Sequence, residues 1–165
     1  MYIFGDVTTC YYGGVDKLIR DNPRRGLFLV QTSNSKPPSF KVDYNWETSH
    51  PGWDLVNKYK ANKVDKNQYT KIYGEIVLHN KWGILLEDWK EIVKMAKGKM
   101  IVLLCWEPTG FCHRELLIDF LFEEGLIFAV LNRDVVVSSQ QYDEFSEYEQ
   151  ELEQNLIMGH TTYAN

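Results

Sequence analysis

Between Cys105 and Arg114 stand five side chains able to do chemistry: Cys105, Glu107, Cys112, His113 and Arg114. Arginine offers a planar fork matched to phosphate or carboxylate. A thiol near a helix start, beside a histidine and an arginine, is drawn toward its nucleophilic thiolate, and Cys112 has those neighbours. Glu107 is suited to general acid/base work or to holding a ribose hydroxyl. Blander roles exist for each. Cys105 can be a small buried hydrophobe, Arg114 can pair with Glu115 or Asp119, His113 can pack or cap locally, and Glu107 can be a solvated loop acid.

Three chemistries compete for this segment. Cys105, Cys112 and His113 with Cys10 have the ligand types of a zinc site. Their Cys-x6-Cys-His spacing, however, lacks the short cysteine pair of a zinc knuckle, so no metal is expected. A phosphatase- or rhodanese-like cysteine loop needs its arginine at a spacing that neither Cys105 nor Cys112 provides. A phosphate-bearing ligand held by Arg114 and a helix N-terminus asks least of the spacing and leads.

The elements around the segment explain why it is the focus. Met100–Cys105 (MIVLLC) is a continuous apolar run, the mark of a strand buried on both faces. A helix starts near Cys112 or His113 with Leu116, Leu117, Phe120 and Leu121 inside and Gly125 at its end, followed by an apolar run Leu126–Leu131. That is a βαβ unit, whose ligands bind beyond the carboxyl ends of the strands. Upstream, Tyr2–Phe4 and Gly26–Gln31 read as strands, Asp16–Arg20 as a helical turn halted by Asn22-Pro23, and the segment from Trp53 to about Lys60 as a helix. Tyr69, Ile72, Tyr73, Ile76 and Val77 form an amphipathic stripe with Asp65 as N-cap, and Leu85, Trp89, Ile92, Val93 and Ala96 form another, ended by Lys97-Gly98-Lys99. Val135–Val137 is a candidate edge strand.

The expected architecture is therefore one α/β domain, a mainly parallel sheet flanked by helices in a Rossmann-like arrangement. The ligand-binding domain is expected over residues 1–140, with an acidic C-terminal helix and tail over 141–165. On this layout two more loops reach the strand ends. Asp6 and Thr8 follow the first strand, Asp6 as a base or hydroxyl acceptor. Ser33, Asn34, Ser35 and Lys36 follow the second, Lys36 as an anion contact; turn formation is the competing role for the polar members. Trp46, His50 and Trp53 form an aromatic-rich stretch that is a candidate to stack a base, with core or lid packing as the competing role, and Trp106 in the loop is a further ligand-binding candidate.

The segment Leu103-Leu104-Cys105-Trp106-Glu107-Pro108, with Phe111-Cys112-His113-Arg114 after it, resembles the family catalogued as domain of unknown function 488. Pro51–Val56, Tyr59-Lys60, Gln68–Thr70 and Tyr73 look like its middle region, and Thr32–Pro37 like its Ser-Arg-Gly-Lys-Pro-like loop. The resemblance spans about half the chain and implies the fold and the site, not a reaction. Where that family has Thr-Ile-Gly-His-Ser this chain has Ile3-Phe4-Gly5-Asp6-Val7, and where it has Asp-Val-Arg this chain has Leu29-Val30-Gln31. If the missing polar groups are catalytic in relatives, this chain binds without catalysing.

Charge and composition set the outer bounds. The 165 residues carry a net −5, but six acids fall between Gln141 and Gln154 with no Lys or Arg. Without those six the chain stands at +1, so its acidity does not exclude an anionic ligand. Cys10, Cys105 and Cys112 are an odd number of cysteines and suggest no disulfide framework. No apolar run reaches the ~20 residues of a membrane span and no leader is visible, so a cytoplasmic protein without membrane contact is expected. No Lys/Arg-rich helix reads duplex DNA. The expected function is binding of a nucleotide or other phosphate-bearing small molecule, with or without chemistry on a nucleotide, nucleoside or base. The alternatives are a nucleotide sensor or sequestering protein, and an adaptor using the acidic helix. The residues name no cofactor and leave a homo-oligomer open.

Overall fold

The computed structural model describes residues 6–108 and 110–127. The expected strand Tyr2–Phe4, residues 128–131 of the strand after the βαβ helix, the edge strand at 135–137 and the acidic segment lie outside them. The chain divides into Met1–Asn132 and Arg133–Asn165, and every described residue belongs to the first unit.

Among the described residues, four strands and five α-helices follow one another as β1 (Val7–Tyr11), α1 (Val15–Asp21), β2 (Leu27–Gln31), β3 (Tyr44–Asn45), α2 (Trp53–Lys60), α3 (Lys66–Tyr73), α4 (Trp82–Ala96), β4 (Met100–Cys105) and α5 (His113–Glu123). The sheet order is β1-β4-β2-β3 and every pairing is parallel. This is an α/β domain with a parallel sheet flanked by helices.

The apolar run Met100–Cys105 explains the layout. All six residues are buried, as a strand paired on both edges and covered on both faces requires. Alternation sends Ile101 and Leu103 to one face, with Val30, Ile92, Trp89, Leu117 and Leu121. Val102 and Leu104 go to the other, where Tyr12, Val15 and the partly buried Leu18 and Phe40 cover them. Register places Tyr11 beside Cys105 and Gln31 beside Leu104, so β1, β2 and β4 end level and release their loops together.

Among the described residues the first strand is one that composition hides. Gly5-Asp6-Val7-Thr8-Thr9 reads as a polar turn, yet Val7–Tyr11 pairs residue for residue with β4. β-branched threonine suits a pleated strand, and Val7 and Thr8 are buried there. Asp6 consequently stands at the start of β1 and not at its carboxyl end. Its carbonyl accepts from Ile101 N at the start of β4, and its carboxylate pairs with Arg25 ahead of β2.

Asp65 caps α3 in a full capping box: its Oδ1 accepts from Gln68 N at 2.8 Å, and its N donates to Gln68 Oε1 at 2.8 Å. The helical path continues beyond Tyr73 as a π-helical stretch, Gly74–His79, and Asn80 N donates to Glu75 O in the i→i+5 pattern. The wider turn changes which residues face inward. Tyr69, Tyr73 and Val77 are buried as the stripe predicts, but Leu78 takes the next inner place and Ile76 is 55% exposed. In α4 the expected Leu85, Trp89, Ile92 and Ala96 are buried, and the left-handed Lys97 (φ 49°) ends the helix. Among the described residues no helix is long and apolar enough to cross a membrane.

Candidate functional site

The site is built where β4 stops. Cys105 is its last residue, on the face shared with Leu103, and seven residues later Cys112 stands in extended backbone (φ −145°, ψ 142°) as the N-cap of α5. His113 opens that helix. Cys105, Cys112 and His113 are each no more than 6% exposed. A helix N-terminus favours negative charge, so the fold sets a thiol where a thiolate is stabilised.

Hydrogen bonds hold the cluster. Glu107 Oε2 accepts from Cys105 Sγ at 2.8 Å and lies 3.3 Å from Cys112 Sγ. His113 Nε2 is 2.8 Å from the Thr32 carbonyl. A carbonyl only accepts, so Nε2 carries a proton, and Nδ1 is the ring nitrogen turned toward the two thiols. That Nδ1 sits 3.8 Å from Cys105 Sγ and 3.9 Å from Cys112 Sγ. Thr32 in turn is fixed to the sheet, donating from N and Oγ1 to Leu104 O at 3.1 and 2.9 Å. Tyr73 packs edge-on against the His113 ring.

This arrangement separates the two thiols. Hydrogen bonding within the thiol pair, with His113 and Arg114 alongside, outweighs burial and brings the Cys112 pKa down to about 6. The same bond, burial and the neighbouring Glu107 push the Cys105 thiol far up, making it the member that keeps its proton. Burial alone would raise Glu107, but hydrogen bonds from Cys105, its own backbone and Cys112 hold it below the usual carboxylate range.

A cavity of about 490 Å³ opens onto the cluster, with Cys105, Glu107, Cys112 and His113 in its wall. Five aromatic residues share the wall: Trp53 and Tyr59 from α2, Tyr69 from α3, and Trp106 and Phe111 from the loop. Phe111 meets Tyr59 and Tyr69 edge-on at 5.5 and 5.3 Å between centroids. Ser33, Asn34 and Ser35 from the β2 loop, with Pro51, Val56 and Lys60, complete it. Trp106 Nε1 donates to Ser35 O at 2.9 Å, and the Tyr12 hydroxyl bonds Ser33 Oγ at 2.8 Å, which pins this loop to the strand ends. Gly52 precedes α2 at φ 81°, a conformation that favours glycine, and its N donates to Asn34 Oδ1 at 3.1 Å. The wall helix is thereby tied to the β2 loop.

Of the residues singled out by sequence, Cys105, Glu107, Cys112, His113, Ser33, Ser35, Trp106 and Trp53 come together around this cavity. The others do not. Asp6 is at the opposite end of the sheet, bound to Arg25, because β1 begins after it. Thr8 is buried inside β1, two residues before the strand reaches Cys10. Arg114 is 7% exposed and outside the cavity wall; its Nη1 donates to Glu107 O at 2.8 Å and to Cys112 Sγ at 3.7 Å, so it braces the loop. Lys36 also turns away, donating Nζ to Phe40 O at 2.7 Å. Cys10 packs on the sheet face of Leu104, away from the Cys105 face. Trp46 is fully buried and stacked on Trp89 as core.

Sequence reasoning missed Tyr59, Lys60, Tyr69 and Phe111 as wall residues. Tyr69 counted only as part of a helix stripe. It was findable as the first residue of that stripe, nearest the end of the sheet to which α2 is tied. No family model, no curated protein and no solved structure matches the chain.

Proposed function

We propose that the protein binds a small molecule carrying a planar ring, of the nucleoside or nucleotide class, and acts on it with Cys112 and Glu107. The observation that carries this reading is the 490 Å³ aromatic cavity with a low-pKa thiol in its wall. Cavities of this size and lining take small ligands and fix them with few polar groups. Trp53, Tyr59, Tyr69 and Phe111 offer ring faces and edges for stacking. Lys60 in the same wall is the cation for an anionic substituent, a role expected of Arg114 and Lys36 before the fold was known. Glu107 is placed to take or return a proton beside Cys112. The free thiols suit a reducing compartment, and the proposed location is the cytoplasm. The resemblance to domain of unknown function 488 belongs to the same proposal, carried by Cys112-His113-Arg114 at the start of α5.

The test is a thermal-shift panel of bases, nucleosides and nucleotides, repeated with Tyr69→Ala and Lys60→Ala, followed by mass spectrometry of the ligand. A ring-bearing ligand should stabilise the wild type and lose at least tenfold in affinity with Tyr69→Ala. Nucleotides should lose more than nucleosides with Lys60→Ala. Product formation abolished by Cys112→Ser identifies the enzyme; a ligand recovered unchanged leaves a binder and removes the catalytic half of the proposal. No stabilisation by any ring compound removes it altogether.

A further inference from the structure

We propose that Cys105, Cys112 and His113 form a zinc site whose fourth coordination position faces the aromatic cavity. Their donor atoms, two Sγ and Nδ1, all lie within 4.8 Å of one another. Zinc–sulfur and zinc–nitrogen bonds of about 2.3 and 2.0–2.1 Å place sulfur and nitrogen roughly 3.6 Å apart on a tetrahedron's edge. Here those separations are 3.8 and 3.9 Å, so small rotations of side chains already in place would close the site.

Glu107 Oε2 receives the thiol hydrogen bonds at 2.8 and 3.3 Å, and beyond these the two sulfurs stand at nearly equal distance from one imidazole nitrogen. A soft cation at their common focus would engage all three donors at once, and a tetrahedral set of sulfur and imidazole selects zinc over the hard divalent ions. The histidine is already prepared: its far nitrogen donates to the Thr32 carbonyl, the outer hydrogen bond that typically orients a metal-bound imidazole.

Charge is balanced as well. Two thiolates and a neutral imidazole would neutralise Zn²⁺, while Arg114, donating to both the Glu107 carbonyl and Cys112 Sγ, offsets the Glu107 carboxylate. Binding releases the thiol protons to solvent. Three protein ligands with an open fourth position is the arrangement of catalytic zinc, in contrast to closed structural sites. All three ligands line the 490 Å³ cavity, so water or a ligand atom can occupy that position. The chain spacing that spoke against zinc considered only local knuckles. The fold joins a strand end to a helix start instead, and it leaves Cys10 out.

The site is independent of ring binding but takes up Cys112, so in zinc-loaded protein Cys112 acts as a metal ligand and not as the reacting thiol of the earlier proposal; it is tested without any organic ligand. Full-length protein would be loaded with Zn²⁺, dialysed against a weak chelator and measured by plasma mass spectrometry. About one zinc per chain is expected for the wild type and for Cys10→Ser. At least a tenfold weaker affinity, read by competition with a chromogenic chelator, is expected for Cys105→Ser, Cys112→Ser and His113→Gln. Because those variants could lose structure, the wild type is also loaded with Co²⁺. Tetrahedral ligand-field bands with thiolate charge transfer support the site; an octahedral spectrum without charge transfer overturns it. Substoichiometric zinc in the wild type, or loss of zinc in Cys10→Ser alone, overturns it too. Ring-ligand binding that persists in zinc-free protein would leave the earlier proposal standing if this one fails.

Discussion

Tyr73→Phe should cost the protein about 1–3 kcal/mol while leaving the cavity wall unchanged. Tyr73 is fully buried, and its hydroxyl donates to Ser49 O at 2.8 Å, tying α3 to the turn Glu47–Ser49 that precedes α2. Phenylalanine keeps the ring, and with it the stacking on Tyr69 at 6.3 Å and the edge contact with His113 at 5.6 Å. The packing loss is therefore small, and the energy lies in a carbonyl deprived of its donor inside the core. For a chain of this length each kcal/mol shifts Tm by roughly 2–4 °C, so a fall of about 2–12 °C is expected. Urea unfolding followed by tryptophan fluorescence provides the free energy, because Trp46 and Trp89 are both fully buried and stacked on each other. The midpoint should drop with the slope m unchanged, since no additional surface is exposed in the native state. A change below about 0.5 kcal/mol would refute the reasoning, because it would mean the Ser49 carbonyl finds another donor at no cost.

Other outcomes follow from single groups. In zinc-free protein, alkylation of Cys112 should rise with pH through about 6 and then level off, whereas Cys10, raised by burial, should titrate above the ordinary thiol range; peptide mass spectrometry against pH measures both. Cys105→Ala removes the hydrogen-bond donor and should move the Cys112 profile to higher pH. His50 has its folded pKa lowered to about 4 by burial and by His113, so between there and its ordinary value near 6.5 the unfolded chain binds more protons. Stability should be full above about 6.5 and decline as pH falls toward 4, and His50→Gln should flatten that part of a urea-midpoint profile. Asp65→Ala should lose about 1 kcal/mol by removing the α3 cap, read by the same urea titration. Asp6→Asn should leave cavity ligand affinity within twofold of wild type in thermal-shift titrations, because Asp6 sits at the far end of the sheet with Arg25.

The parts of the fold that were legible are those where one physical cause dominates. Six apolar residues in Met100–Cys105 have no stable place but the middle of the sheet, and that is where β4 lies. Asp65 followed by Gln68 announces a helix start through chemistry confined to four residues. The candidate loop was visible for the same reason, since a strand end and a helix start flank it. Less local causes were hidden. Thr8 and Thr9 are polar, and only pairing with β4 makes them strand. Nothing in Gly74–His79 signals a widened turn, so Ile76 and Leu78 exchanged their expected places. Arg114 and Lys36 are cations whose targets are main-chain carbonyls, and sequence does not record where a long side chain points. The convergence of Cys105, Cys112 and His113 depends on how α5 leaves the sheet, a property of three-dimensional closure.

The partner that orients His113 is the Thr32 carbonyl, a group every amino acid carries. Point mutation can remove a side-chain acceptor but cannot delete this one. Proline at position 32 would forfeit the amide bond to Leu104 and still retain the oxygen. The aim of the imidazole is thus insulated from most genetic change at its own support, and its weak points are the main-chain path of β2 and the start of α5. Drift in this protein should therefore spare the imidazole's direction while reshaping the walls around it, where Trp53, Tyr59 and Lys60 contribute only side chains. Such a division lets new ligands be explored without dismantling the reactive end.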